Sequence, residues 1–320
     1  MILAAGLGTR LRPLTYVRPK ALVPVSGTTV LRFWFEQLQA MSFGGVVVNA
    51  FHYPNQILAE IDRWRANIPL EVRVEEELLG TGGGIRNMLD FCNGEPFVVV
   101  NGDIVCDAPL QKLAQRFLRL GEDLVLLLHD CPAFNNVAVD AGGQILGFGE
   151  EALSLARDRT DIRLQAFTGI HFIKPRVIQH LSVGRPHDIV AVYRQRIAEG
   201  RPPRALWSPG LFWREMGSIE AYWALHREFS SLPTGFLIPF QTGQPLWRDP
   251  TAVVSSDADL AGVVMVGAQS RVMDGCRLED VVLWDDVMVE PGTVLRNCVV
   301  ADGVICSGYH EGQILVEETS

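Results

Sequence analysis

Apolar residues along this chain fall into two textures that alternate. Ile2–Ala5, Val46–Val48, Phe97–Val100 and Leu124–Leu128 are short continuous apolar runs, the pattern of strands buried on both faces. Between them, Val30, Trp34, Leu38 and Met41 recur at helical spacing and stop at Gly44-Gly45. Pro54 opens a second helix through about Ala66, and Leu110 to Leu120 is helical again. Leu70–Val74 alternates like a strand, and a short helix is expected around Ile85 to Phe91. Strands alternating with helices predict an α/β fold, a mostly parallel open sheet with ligands at the strand C-termini. Glycine-bearing loops at Gly6, Gly80 and Gly102 each follow a predicted strand, so they should share one sheet edge.

From Ala133 the helical pattern lapses. Val137 and Val139 alternate with their neighbours, Gly142-Gly143 marks a hairpin turn, and Ile145 to Phe148 returns as its partner. Ala166 to Ile173 reads as a strand whose central Gly169 suggests close approach of a neighbour or ligand. Helices are expected near Pro175–His180 and Asp188–Glu199. A short strand at Leu211–Trp213 then leads to Ser218, which can cap a helix running to about Phe229. Residues 230–250 are rich in Pro, Gly and Thr and read as a linker. Beyond it, apolar clusters such as Val263-Val264, Val281-Val282, Val287, Val294 and Val299-Val300 are interrupted by Gly-Ala, Asp-Gly and Pro-Gly pairs. This imperfect hexapeptide period resembles a left-handed parallel β-helix of about three coils; a small antiparallel β domain is the alternative. The organisation expected is 1–229, a linker at 230–250, and a short β-helix at 251–320.

Composition narrows the partners. With 320 residues and 48% hydrophobic content, the chain can fill two cores. A net charge of −9 leaves no basic surplus for a nucleic-acid backbone. No apolar stretch approaches the roughly 18 residues of a membrane helix. Cys92, Cys106, Cys131, Cys276, Cys298 and Cys306 include no C-x-x-C pair and read as free thiols, which suggests a cytoplasmic protein. Of 28 basic residues only Lys20, Lys112 and Lys174 are lysines, so a lysine inside a glycine loop hints at a need for an ammonium.

That loop is the chain's start, MILAAGLGTRLRPLTYVRPKALVPVSG. Gly6 and Gly8 let a backbone approach an anion, and Arg10, Arg12 and Lys20 can neutralise phosphate. No G-x-x-x-x-G-K-[ST] string occurs, and Leu11 stands where a dinucleotide fingerprint needs glycine. Pro13 and Pro19 should keep the segment extended. By residue type alone, a Gly/Pro-rich surface loop is the competing, lesser reading. As a string, G-x-G-T-R-L-R-P-L-T with P-K downstream resembles the signature of the nucleotide-sugar pyrophosphorylases, the sugar-1-phosphate nucleotidyltransferases.

The resemblance implies an enzyme that joins an NTP to a sugar 1-phosphate, releasing pyrophosphate, with GTP or UTP as the nucleotide. It implies Arg10, Lys20 and Asp103 as catalytic residues. Ala5, Gly6, Gly8, Thr9, Glu77, Thr81 and Gly82 are the implied nucleotide contacts, and Asn136 and Gly169 the sugar contacts. The metal is Mg²⁺, held by Asp103 and Glu215. Asp103 ends the run V-V-V-N-G-D, where a carboxylate also suits a turn cap. Glu215, in F-W-R-E-M-G-S, stands where the family has aspartate, and a glutamate there also suits a helix entry. Hairpin and strand-packing roles compete for Asn136 and Gly169. The family's F-x-E-K-P lysine is missing from Phe148-Gly149-Glu150-Glu151-Ala152, leaving Lys20, the metal, or an arginine such as Arg157 or Arg159 for the sugar phosphate. The alternatives are a non-catalytic nucleotide-sugar sensor on the same fold, or an acyltransferase β-helix, for which His310 is scant material. The C-terminal domain is expected to support homo-oligomerisation.

Overall fold

The computed structural model describes residues 1–41 and 43–317. They form two compact units, Met1–Gly6 with Gln37–Glu215, and Leu7–Glu36 with Met216–Ser320. In the first unit the strands are β1 (Ile2–Leu3), β2 (Val46–Ala50), β3 (Leu70–Val74), β4 (Phe97–Asn101), β5 (Ile104–Cys106) and β6 (Leu124–His129). They continue with β7 (Val137–Val139), β8 (Ile145–Phe148), β9 (Arg163–Ile173), β10 (Arg204–Trp207) and β11 (Trp213–Glu215). Nine of these form one sheet with the path β8-β7-β9-β4-β1-β2-β3, and β6 joins β9 to β10. β3, β2, β1 and β4 run parallel, as the continuous apolar runs of the last three predict, and β6 and β10 are parallel to each other. β9 crosses antiparallel to β4 and β6. The core gathers Val47, Val99, Leu126 and Leu128 from the strands with Ile85, Val192 and Tyr193 from the helices and Met88 from the turn after Arg86.

The turn between β7 and β8 closes as its glycines predict: Gly143 N–H donates to Asp140 O, and Gln144 N–H to the Asp140 carboxylate. Pro175–Val177 makes only a 3-10 turn in place of the expected helix, and the next helix, Ile189–Ala198, is capped by Asp188. The helix expected at 85–91 begins earlier, at Gly80, and ends at Arg86. Its glycines permit this. A Cβ on Gly83 would lie 2.4 Å from Arg185 O, and one on Gly82 would lie 3.0 Å from His187 O. Only bare backbone lets the 185–187 segment lie against this turn.

The second unit opens with the Gly/Pro segment, which is not extended. Three 3-10 turns occupy Thr9–Leu11, Leu14–Tyr16 and Lys20–Leu22, closed by Leu11 N–H to Gly8 O, Tyr16 N–H to Pro13 O and Leu22 N–H to Pro19 O. Proline's fixed φ serves a tight turn as well as an extended chain, and the local i→i+3 bonds decide between them.

The C-terminal residues wind as parallel coils, which excludes the antiparallel alternative. Leu246–Arg248, Asp259–Val266, Arg277–Leu283, Val294–Val300 and Tyr309–Glu311 form one sheet. Val253–Val254, Arg271–Val272, Met288–Val289 and Ile305–Cys306 form a second. Val264, Val281 and Cys298 stand opposite one another, each 17 positions after the last. The Leu246–Arg248 strand lies inside the stretch read as a linker and pairs with Asp259–Val266. Its side chains are mostly exposed, so it carries little apolar signal. The interior stacks Val264, Leu278, Val281, Leu295, Cys298 and Val300. All six cysteines are free. Among the described residues no helix is long and apolar enough to cross a membrane.

Acid is expected to destabilise both units. Burial, with the Met1 ammonium secondary, pulls His171 down to about 3, and burial pulls His226 down to about 4. An unfolded histidine titrates near 6.5. Below that value the unfolded chain binds more protons than the fold, so stability is complete above it and falls as pH drops toward the folded values. Each histidine contributes about 1.4 kcal/mol per pH unit across that window. Urea midpoints should therefore drop between pH 7 and pH 5; an unchanged midpoint would show that these imidazoles do not stay neutral.

Candidate functional site

In the first unit, β1, β2, β3 and β4 end on one edge, and a buried polar relay runs along it. Ala4 N–H donates to Asn49 Oδ1 at 2.8 Å, and Asn49 Nδ2 donates to Glu75 Oε1 at 2.7 Å. Glu75 Oε2 accepts Leu79 N–H at 3.0 Å. The relay ties the end of β1, where Ala5 and Gly6 follow, to the loop carrying Glu77, Thr81 and Gly82. Sequence reading missed Asn49 and the particular place of Glu75. The available signal was a polar residue at the end of each of two neighbouring strands.

Glu76 and Glu77 are exposed and, with Glu75, Leu79, Asn87 and Arg185, line a cleft of about 350 Å³. Thr81 is half-buried and Gly82 buried. The Gly82 and Gly83 N–H groups donate to His187 O, and His187 N–H returns a bond to Leu79 O. Those donors are thus already engaged, and the carbonyl of residue 187 holds the glycine turn closed.

Along the same edge, Gly102 N–H donates to Leu3 O at 2.8 Å, which places Asp103 directly beyond the end of β4. β5 then pairs antiparallel with β11, with Glu215 opposite Ile104 and Trp213 opposite Cys106. Asp103 and Glu215, 112 positions apart in the chain, are therefore one residue away from facing each other, and both are half-buried. Phe212 and Asp107 close the far end of this pair through reciprocal bonds, Phe212 N–H to Asp107 Oδ1 and Asp107 N–H to Phe212 O.

Gly169 belongs to the same neighbourhood. Its φ is +79°, and a Cβ there would meet Asn101 Nδ2 at 2.7 Å, so the close neighbour foreseen for it is Asn101. The adjacent Thr168 carbonyl accepts Trp213 Nε1–H at 2.9 Å, fastening β11 to the irregular stretch of β9. Asn136 is exposed at the entry to β7; its N–H donates to Gln165 O and its carbonyl accepts Gly149 N–H. At the stretch lacking the lysine, Arg194 Nη2 donates to Phe148 O at 3.2 Å. Arg159 is instead paired with Asp161.

Gly8, Thr15 and Lys20 come together in the second unit. Gly8 has φ +61°, and a Cβ there would meet Thr15 Cγ2 at 2.7 Å and Lys20 Cβ at 3.1 Å. Thr15 Oγ1 donates to Gly8 O at 3.0 Å. Thr9 and Arg10 are exposed on the first 3-10 turn. The loop is compact and shaped by its second glycine, as an anion-binding backbone requires.

Among the described residues no group of three or more His, Cys, Asp or Glu is placed to hold a metal. Two carboxylates completed by substrate phosphates are a donor set that Mg²⁺ accepts, so Asp103 and Glu215 fit that ion.

Residues 1–231 match the family model described as nucleotidyl transferase. The mannose-1-phosphate guanylyltransferase of Mycobacterium tuberculosis is 28% identical over 306 residues, covering 93% of this chain and 82% of that protein. The UTP–glucose-1-phosphate uridylyltransferase of Synechocystis is 24% identical over 329 residues, covering 95% and 80%. A crystal structure of HddC from Yersinia pseudotuberculosis shares the fold, with a TM-score of 0.58 at 20% identity over 70% of this chain and 96% of that one. With the family model spanning residues 1–231 of the 320, this chain belongs to the nucleotidyl transferase family.

Proposed function

We propose that the protein is a sugar-1-phosphate nucleotidyltransferase with guanine as its preferred base. The observation that supports the reading is the β5–β11 pair, which sets the backbones of Asp103 and Glu215, distant in the chain, at neighbouring register positions. Mg²⁺ held by these two carboxylates would supply positive charge to the phosphate oxygens. The sugar phosphate is mostly dianionic at neutral pH, its second pKa being about 6, so it needs no general base. Its oxygen attacks the α-phosphorus in line, the bond from that phosphorus to the β-phosphate oxygen breaks, and pyrophosphate leaves. Positioning and charge neutralisation are then the protein's whole contribution. Arg10 and the Gly6–Gly8 backbone take the leaving pyrophosphate, and Lys20 the α-phosphate with the incoming phosphate. Ala5, Thr9 and Thr81 line the nucleotide, and Gly82 packs beside the base. Asn136 and Gly169 lie along the sugar, and Arg194 stands for the missing lysine. Residues 1–229 carry this chemistry, and the coils that begin at Leu246–Arg248 form the β-helix, where any homo-oligomer contact would lie.

The base follows from the acidic cleft. Guanine presents adjacent N1–H and N2–H donors, which suit a carboxylate lip such as Glu76 and Glu77; uracil offers one donor. A pyrophosphate-release screen of four NTPs against mannose, glucose and heptose 1-phosphates tests the proposal. GTP should give the highest kcat/KM. Preference for UTP would overturn the assignment of the base, and release with no pair would overturn the activity.

A further inference from the structure

We propose that the β-helix acts as a positioning element for nucleotidyl transfer, because two of its stacked corner carboxylates grip Arg18, two residues ahead of Lys20. The inference rests on the reading of Lys20 given above. Ala268, Asp285 and Asp302 occupy equivalent corners of successive coils, 17 positions apart. Each carboxylate also caps the coil before it: Asp285 Oδ1 accepts Ala268 N–H at 2.8 Å, and Asp302 Oδ1 accepts Asp285 N–H at 3.1 Å. Neighbouring strands lie about 4.8 Å apart, so carboxylates stacked on one corner repel unless a cation joins them.

Arg18 is that cation. Its Nε donates to Asp302 Oδ2 at 2.6 Å, and its Nη2 to Asp302 Oδ1 at 2.7 Å and to Asp285 Oδ2 at 2.6 Å. The guanidinium also lies 5.5 Å from the ring centre of Trp284, the residue before Asp285. A planar fork holds one carboxylate through two donors while reaching the second, a grip that an ammonium point charge reproduces only in part. The three side chains are 19%, 35% and 27% exposed for Arg18, Asp285 and Asp302, so the network is less screened than a surface pair. Burial lowers Arg18, but Asp302 and Asp285 outweigh it and leave the guanidinium above its usual range. Burial raises Asp302, and Arg18 partly offsets that rise.

A second tether leads to the same corner. Tyr222, on the Ile219–Ser231 helix, donates its hydroxyl to Pro24 O at 2.8 Å and accepts Trp284 Nε1–H at 3.1 Å. Lys20 therefore lies between two anchored points, Arg18 and Pro24. Reactive groups misplaced by about 1 Å lose on the order of 10²-fold in rate, so the coils bear on turnover while lying outside the chemistry.

The test uses the full chain with Arg18→Met, Arg18→Lys, Asp302→Asn and the double variant Arg18→Met/Asp302→Asn. Arg18→Met should lower kcat roughly 10-fold or more with KM little changed, and raise amide hydrogen exchange across residues 9–24. Arg18→Lys should recover part of kcat. The double variant should match Arg18→Met alone, because both changes remove one clamp. Wild-type kcat and exchange in Arg18→Met would overturn the proposal. So would losses that only track the folded fraction, with no recovery in Arg18→Lys. If Arg18→Met does not fold, Asp302→Asn takes its place, with the same two readouts supporting or overturning the clamp. If the parent protein releases no pyrophosphate, the activity assigned above fails, and exchange at 9–24 still decides whether the clamp holds the loop.

Discussion

Asp103→Asn is expected to fold like the parent and to lose most of its Mg²⁺-dependent pyrophosphate release, on the order of 10²- to 10³-fold in kcat. The side chains are nearly isosteric, and Asp103 sits in the turn between β4 and β5, outside the ladder bonds that hold either strand. What changes is the charge of residue 103. Glu215→Ala should be nearly as damaging, since it removes the partner that the β5–β11 pairing brings to Ile104. Glu215→Asp, which shortens the reach by one methylene, should keep part of the rate. Calorimetric titration of nucleotide with and without Mg²⁺ gives a second reading: the ion should tighten nucleotide binding less in Asp103→Asn than in the parent. Near-parental turnover of either variant across a Mg²⁺ titration would remove that residue from the proposed pair.

Lys20→Ala should lower kcat by about 10²-fold, with a smaller change in KM. Its turn is held firmly. Ala21 and Leu22 are buried, and Lys20 packs beside Gly8, whose carbonyl takes the Thr15 hydroxyl. A charge fixed in this way is ready before the reaction begins, and such a charge acts on the transition state more than on ground-state binding. Lys20→Arg should restore little, because the guanidinium fork has a different shape and reach in a site crowded by Thr15. A change confined to KM would reassign Lys20 to plain substrate binding.

The α/β architecture could be read from the chain because strands buried on both faces leave a continuous apolar mark. Val46–Val48, Phe97–Val100 and Leu124–Leu128 all lie in strands of one sheet. The parallel coils were visible for a related reason, since inward positions must stay apolar at every corner. The glycine strings around Gly6, Gly8, Gly80 and Gly102 marked the loops, as only glycine permits the close approaches found at Gly8 and Gly83.

Other features left no local signature. Proline allows both extended and 3-10 backbone, so the turns at Thr9–Leu11 and Lys20–Leu22 depended on bonds that composition does not specify. Glu75 begins a run of three glutamates that looks uniformly solvated, yet it is 4% exposed because Asn49 and Leu79 N–H satisfy its carboxylate. Arg18 is one of many arginines until the coil repeat brings Asp285 and Asp302 to the same corner. Periodicity and glycine placement act within a few residues, so the fold class, the coil repeat and the position of the glycine loops were legible in the chain alone. Which acids reach neighbouring register positions, as Asp103 and Glu215 do, and which arginine is clamped became visible only in the folded chain. Those outcomes depend on strand register across more than a hundred residues, where no local pattern reaches.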